Sequence, residues 1–122
     1  MNEELIIQKI ETDPTDKLCQ IIAEKREKHT QLNFAINDYV ILKLSYEQKN
    51  NELLLTTDFK KVTGESRPTV AMKEAYIENT LFDEKMEMNI AKENVNSIKR
   101  DIDLLNDEIK LYELQCKMRM IE

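Results

Sequence analysis

The side chains that most often carry out chemistry in proteins are sparse in this sequence. His29 is the only histidine, and Cys19 and Cys116 are the only cysteines. A zinc site needs about four ligands that converge on one point, and these three residues do not supply them. The neighbours of His29 are Lys28 and Thr30, which offer it no catalytic partner. We therefore expect an exposed or edge histidine and two unbridged, buried cysteines.

Carboxylates are abundant, and Glu84 is the one whose position in the sequence could bury it. It is the only charged residue in an apolar heptad stripe described below. Carboxylates inside a helical bundle can hold two iron ions, but that chemistry also needs Glu-x-x-His pairs, and the histidines are missing. We expect Glu84 to set the helix register or to pair with Lys43. The sequence predicts no cofactor, no metal, no small-molecule substrate and no enzymatic activity.

A basic cluster surrounds Phe59 and Gly64, the only glycine. Its cations could contact phosphate or an acidic partner, so any direct nucleic-acid binding is expected only locally, at this point of the chain. The alternative is that cations simply sit at the C-terminal end of a helical turn, where they are favourable. The candidate contacts are Phe59, Lys60, Lys61 and Arg67.

An acidic segment runs from Asp101 to Glu113, and Lys110 is the only cation within it. A rigid helix lined with carboxylates can imitate a nucleic-acid backbone and occupy a basic cleft. The alternative is that these carboxylates only solvate the outer face of a coiled coil. The candidate contacts are Asp101, Asp103, Asp107 and Glu108.

The composition as a whole predicts long helices. The chain of 122 residues has one glycine, two prolines and no tryptophan, and both glycine and proline interrupt helices. Its net charge of −6 argues against binding of nucleic acid or anionic membrane by the whole surface. No apolar run approaches the roughly 20 residues that span a bilayer. The acidic start, Met1 to Glu4, is unlike a signal peptide, so we expect a cytoplasmic protein.

The second half of the chain carries an unbroken heptad stripe. Its spacing alternates between three and four residues, which keeps one apolar seam facing a partner helix. This pattern predicts a coiled coil. The seam residues are Leu81, Glu84, Met88, Ala91, Val95, Ile98, Ile102, Leu105, Ile109, Tyr112 and Cys116.

The first half carries a matching seam that two lysines interrupt. Lys25 and Lys28 either reach outward past Glu93 and Asp101 or mark a segment where the helices separate. The remaining positions are apolar or tyrosine, apart from Lys49. This seam comprises Leu18, Ile21, Lys25, Lys28, Leu32, Ala35, Tyr39, Leu42, Tyr46, Lys49 and Leu53.

Capping residues divide the chain into a short helix over 1–13, a long helix over 14–56, a hinge over 57–67 and a second long helix over 68–121. Asp13 can cap a helix that begins at Pro14. Thr57 or Asp58 can cap a single turn in the hinge, and Gly64 can end it in the left-handed conformation. Pro68 or Thr69 then starts the second long helix. The whole chain is expected to form one domain.

These elements predict an all-α fold, a long antiparallel two-helix hairpin with a short N-terminal helix. Folding about residue 62 would place Lys28 near Asn96, and Cys116 opposite Gln8. One seam leaves several apolar side chains partly exposed, and such stripes usually have a partner. These side chains are Ile22, Phe34, Ile36, Ile41 and Leu44. We therefore expect a homodimer, most simply two hairpins in a four-helix bundle, or a complex with another protein.

The stretch from Thr57 to Asn79, followed by an acidic heptad helix, resembles small helical accessory proteins of phages and mobile elements of low-GC Gram-positive bacteria. The similar features are Asp58-Phe59-Lys60, Gly64, Arg67-Pro68-Thr69 and Lys73-Glu74-Ala75-Tyr76-Ile77. The resemblance implies an accessory protein in a bacterial host cell, one that counters or co-opts a host nucleic-acid enzyme. It carries over no functional residue.

Three functions follow from the sequence. The first is a noncatalytic coiled-coil module for protein interaction. The second is an acidic inhibitor of a host nucleic-acid enzyme, such as a nuclease or a CRISPR effector. The third is an accessory that handles nucleic acid through the hinge cations.

Overall fold

A computed structural model describes residues 13–121, and the regular structure within that range is entirely helical. Its helices are α1 (Pro14–Thr56), α2 (Phe59–Thr63), α3 (Val70–Thr80) and α4 (Phe82–Ile121). The predicted all-α class is confirmed. The predicted short helix over 1–13 lies outside the described residues, apart from its last position.

Helix α1 begins at the predicted cap. The Asp13 carboxylate accepts a hydrogen bond from the Thr15 amide at 2.8 Å, and Pro14 occupies the first helical position. The Asp13 carboxylate also lies 3.0 Å from the Arg119 guanidinium of α4. The Thr15 amide, with help from the charge of Arg119, lowers the pKa of Asp13. The start of α1 is thus fixed both locally and by a contact with the other long helix.

The segment between α1 and α3 is ordered by three capping residues. Asp58 caps α2 by accepting a hydrogen bond from the Lys61 amide at 3.4 Å. Gly64 ends α2 with φ 74°, in the left-handed region, as predicted. Thr69 caps α3 by accepting from the Met72 amide at 3.2 Å. Of the alternatives that the sequence left open, Asp58 and Thr69 are therefore the caps.

The second long helix was predicted to run unbroken from residue 68, and the structure differs. Leu81 separates α3 from α4 with φ −100° and ψ 25°. The hydrogen bonds from Leu81 to Ile77 and from Lys85 to Leu81 continue across it at 2.8 and 2.9 Å. Because these bonds keep the helical spacing, the distortion is confined to one residue and leaves the heptad pattern intact.

Internal contacts group the chain into two compact units, and residues 13–33 with 96–121 form the first. There α1 packs against α4 through an ion pair of 3.2 Å between Lys28 and Asp101. A contact of 3.7 Å joins the Thr15 hydroxyl to the Cys116 sulfur. Lys28 thus reaches outward past the seam to Asp101, one of the two outcomes expected for it. The buried core of this unit consists of Ile21, Ile98, Ile102 and Leu105.

Residues 34–95 form the second unit. Phe59, Ile77 and Leu81 make a buried cluster, and the partly buried Tyr46, Leu53 and Tyr76 pack against it. The rings of Phe59 and Tyr76 meet edge to face, with centroids 6.1 Å apart. The cluster therefore joins α1, α2 and α3 around one aromatic side chain.

Helix α1 packs against α4 in a register about one heptad away from the predicted one. Cys116 contacts Thr15, where the prediction placed Gln8 opposite it. Lys28 contacts Asp101, beyond the predicted position near Asn96. A heptad pattern is unchanged by a shift of seven residues, so it does not fix the register.

Glu84 is affected by the same change of register. It lies 3.6 Å from Lys49 of α1, and the predicted pair with Lys43 was wrong. The two side chains are partly exposed, so their attraction is screened by solvent and contributes little to stability.

Candidate interaction surfaces

The predicted seam residues lie at buried or half-buried positions, apart from Lys49, which is exposed. Ile98 and Ile102, at 8% and 7% exposure, are typical of the buried ones. Such positions are occupied by contacts within the chain, so an external partner must use other surfaces. The buried set is Ile21, Ala35, Leu81, Val95, Ile98, Ile102 and Leu105. The half-buried set is Leu18, Lys25, Lys28, Leu32, Tyr39, Leu42, Tyr46, Leu53, Glu84, Met88, Ala91, Ile109, Tyr112 and Cys116.

The hinge presents its cations but not its aromatic ring. Phe59 is 8% exposed, and the Lys73 ammonium lies 5.5 Å from the centre of its ring. Phe59 is therefore held inside the fold. Lys60, Lys61 and Arg67 are exposed, and they remain the predicted basic contacts of the hinge.

Only some carboxylates of the acidic segment of α4 are available to a partner. Asp101 is half-buried and pairs with Lys28 at 3.2 Å. Asp103, Asp107 and Glu108 are exposed and form no ion pair with any residue between 13 and 121. These three carboxylates are thus the ones available to a basic partner.

An open groove that the sequence did not predict runs between α1 and α4 in the second unit. Its volume is about 640 Å³. We call it the alanine groove, because Ala35, at 4% exposure, and Ala91 are among its lining residues. The full lining is Ala35, Asp38, Ile41, Leu42, Glu87, Ile90, Ala91 and Asn94.

The alanine groove is lined by apolar and acidic side chains. Ile41 and Ile90 are each 65% exposed, and both border the groove. Asp38 and Glu87 are exposed residues of the same lining. The arrangement can hold an elongated apolar surface that also carries positive charge.

The sequence contains a signal for this groove in two isoleucines that lie beside the seam. Ile41 and Ile90 each directly precede a seam residue, Leu42 and Ala91 respectively. An isoleucine in that position widens the apolar face beyond the seam, and a seam alanine leaves space beside it. Only Ile41 was identified from the sequence, as one of several exposed apolar residues.

The groups with metal or redox chemistry are scattered. Across residues 13–121 no three His, Cys, Asp or Glu side chains lie close enough together to hold a metal ion. His29 is exposed, as expected. Both cysteines are free thiols, but Cys19 is exposed, so its predicted burial was wrong. Cys19 follows the seam residue Leu18 and therefore points away from the helix contact.

Comparisons with protein-family models, with curated proteins and with solved structures find no match to this chain. None of the helices within residues 13–121 is long and apolar enough to cross a membrane.

Proposed function

We propose that this protein is a noncatalytic interaction module, an antiparallel two-helix coiled coil that contacts a second copy of itself or another protein. The observation that supports it is the amount of large apolar surface outside the helix contact. Phe34 and Ile41 of α1 are 67% and 65% exposed, and Ile90 of α4 is 65% exposed. Burying such surface is worth roughly 25 cal/mol per Å², and contiguous patches of it mark interaction sites.

The biological setting is also part of the proposal. The short motifs between Thr57 and Asn79 support an accessory protein of a phage or mobile element, acting in the cytoplasm of a bacterial host. The partner contacts would then lie on the outer faces of α1 and α4, since the seam positions are occupied within the chain.

Self-assembly is tested by measuring mass against concentration. We expect light scattering to give at least two chains per particle at about 100 µM and a falling mass on dilution, because apolar burial drives association. Replacing the exposed Phe34 and Leu44 together by serine should lower the mass toward one chain. Gln48→Ser, on the same helix, is the matched control. A mass of one chain at every concentration would contradict self-assembly.

A second candidate function is the acidic inhibitor. It is favoured by Asp103, Asp107 and Glu108, which are exposed on one stretch of α4. We expect such a protein to compete with DNA for a basic enzyme and to lose that ability when the three carboxylates become amides. If the chain instead retains DNA by itself with a steep salt dependence, the hinge cations are the functional group.

A further inference from the structure

We propose that the alanine groove binds a basic amphipathic helix from another protein. The inference rests on the proposed function and names the kind of partner that an interaction module with this surface would take. It concerns one stretch of α1 and one stretch of α4, both within residues 34–95.

The shape of the groove fits a helix. Ala35 and Ala91 are the smallest of its apolar side chains, so the backbone of an incoming helix can approach closely between α1 and α4. Ile41 and Ile90 stand beside them with most of their surface exposed. Recognition of a helix in a groove uses apolar anchors spaced three, four and seven residues apart, and a groove between two helices offers a continuous row of contacts to such a stripe.

The charge of the groove selects a cationic partner. Its lining contains Asp38 and Glu87 and no lysine, arginine or histidine. Neither carboxylate forms an ion pair within the part of the chain that the structure describes. The nearby Lys43 and Lys92 each follow a groove isoleucine by two residues. At about 100° per residue, each lysine lies about 160° around the helix from that isoleucine and about 100° from the groove residue directly before it, Leu42 or Ala91.

The same charges argue against a second copy as the occupant. A symmetric dimer joins the same surface of both chains, so the groove carboxylates of one copy would face those of the other. Like charges placed together oppose association. A helix with lysine or arginine beside its apolar stripe would instead place opposite charges against Asp38 on one helix and Glu87 on the other.

The test uses the full chain and a fluorescent peptide of about 18 residues, with leucines at helical spacing and lysines elsewhere. A second peptide has glutamate in place of lysine. We expect the lysine peptide to bind at least about tenfold more tightly, since attraction at the groove adds to apolar burial. Equal binding of the two peptides, or binding of neither, would overturn the proposal.

Two double charge reversals test whether the lysine peptide binds in the groove. Asp38→Lys with Glu87→Lys should weaken the lysine peptide about tenfold. Glu52→Lys with Glu113→Lys changes the net charge equally at exposed sites of α1 and α4 outside the groove and should leave binding within about twofold. Equal losses in both variants would indicate unspecific attraction and overturn the proposal. Circular dichroism verifies that each variant keeps its helices.

A third variant tests the apolar walls. Ile41→Ser with Ile90→Ser should abolish peptide binding while helicity is retained, and unchanged binding would contradict the groove as the site. If this variant abolishes dimerisation and the peptide dissociates the dimer, a second copy occupies the groove and the proposed partner is wrong.

The two proposals fail separately. If the chain self-associates but does not bind the lysine peptide, the proposed function stands and the proposed groove partner is wrong. If the chain stays monomeric and binds the peptide in the groove, self-assembly is wrong and the proposed groove partner stands.

Discussion

Single residues with special backbone roles were the most predictable part of this protein. Asp13 and Gly64 occupy the positions that their chemistry suggests, one at the start of α1 and one at the end of α2. Each depends only on a few neighbouring residues, so the sequence alone contains the necessary information. Glu84 was less predictable, because its partner Lys49 is set by how two distant helices align.

The left-handed conformation of Gly64 gives a prediction at this scale. Gly64→Ala should lower the free energy of unfolding by about 1 kcal/mol, because a side chain is disfavoured at positive φ. Apart from Gly64 itself and its two chain neighbours, no atom of residues 13–121 lies within 4 Å of the added Cβ, so the cost comes from the backbone and not from a clash. Denaturant unfolding provides the measurement.

Gly64→Asn is the matched control, since asparagine tolerates the left-handed region better than alanine. It should cost clearly less than Gly64→Ala. An alanine variant as stable as the natural chain would show that φ at Gly64 is not constrained in solution.

At the scale of elements, heptad spacing correctly identified which side of α4 faces inward. Val95, Ile98, Ile102 and Leu105 are all buried. The spacing did not reveal the distortion at Leu81, because its flanking hydrogen bonds keep the helical repeat. Heptad periodicity thus predicts well which side of a helix is buried, and it predicts poorly where the helix backbone is distorted.

Ile98 tests the inward face directly. Ile98→Asp should lower the free energy of unfolding by about 4 kcal/mol, because an unpaired carboxylate would be buried at a position that is 8% exposed. Thermal unfolding followed by circular dichroism measures the loss. The exposed neighbour Ser97→Asp is the control and should change the stability by less than about 0.5 kcal/mol. Equal effects of the two variants would argue against the burial of Ile98.

The register of α1 against α4 can be tested with the natural Cys116. In a Cys19→Ser background, Thr15→Cys should form a disulfide with Cys116 under mild oxidation, because the Thr15 hydroxyl lies 3.7 Å from the Cys116 sulfur. Ile22→Cys lies one heptad further along α1 and should remain reduced, since a disulfide needs Cβ atoms about 4 Å apart. A disulfide in the Ile22→Cys protein and none in the Thr15→Cys protein would exclude this register.

At the scale of the whole molecule, the sequence indicated the class of fold but not its register or its free surfaces. A repeat of seven residues looks the same after every shift of seven, so the pairing of Thr15 with Cys116 was not predictable. The alanine groove was missed for a related reason. It exists only once α1 and α4 are aligned, since Ala35 and Ile41 come from one helix and Ile90 and Ala91 from the other.

The cluster around Phe59 bears on how this chain reaches its native state. Phe59, Ile77 and Leu81 are close in sequence, so bringing them together costs less loop-closure entropy than joining Thr15 to Cys116. We infer that this cluster is the folding nucleus and that α1 and α4 then pair progressively away from it. Early formation of this nucleus would set the register of α1 against α4 before their seams pack. It would thereby prevent kinetic traps in which the two helices are misaligned by one heptad.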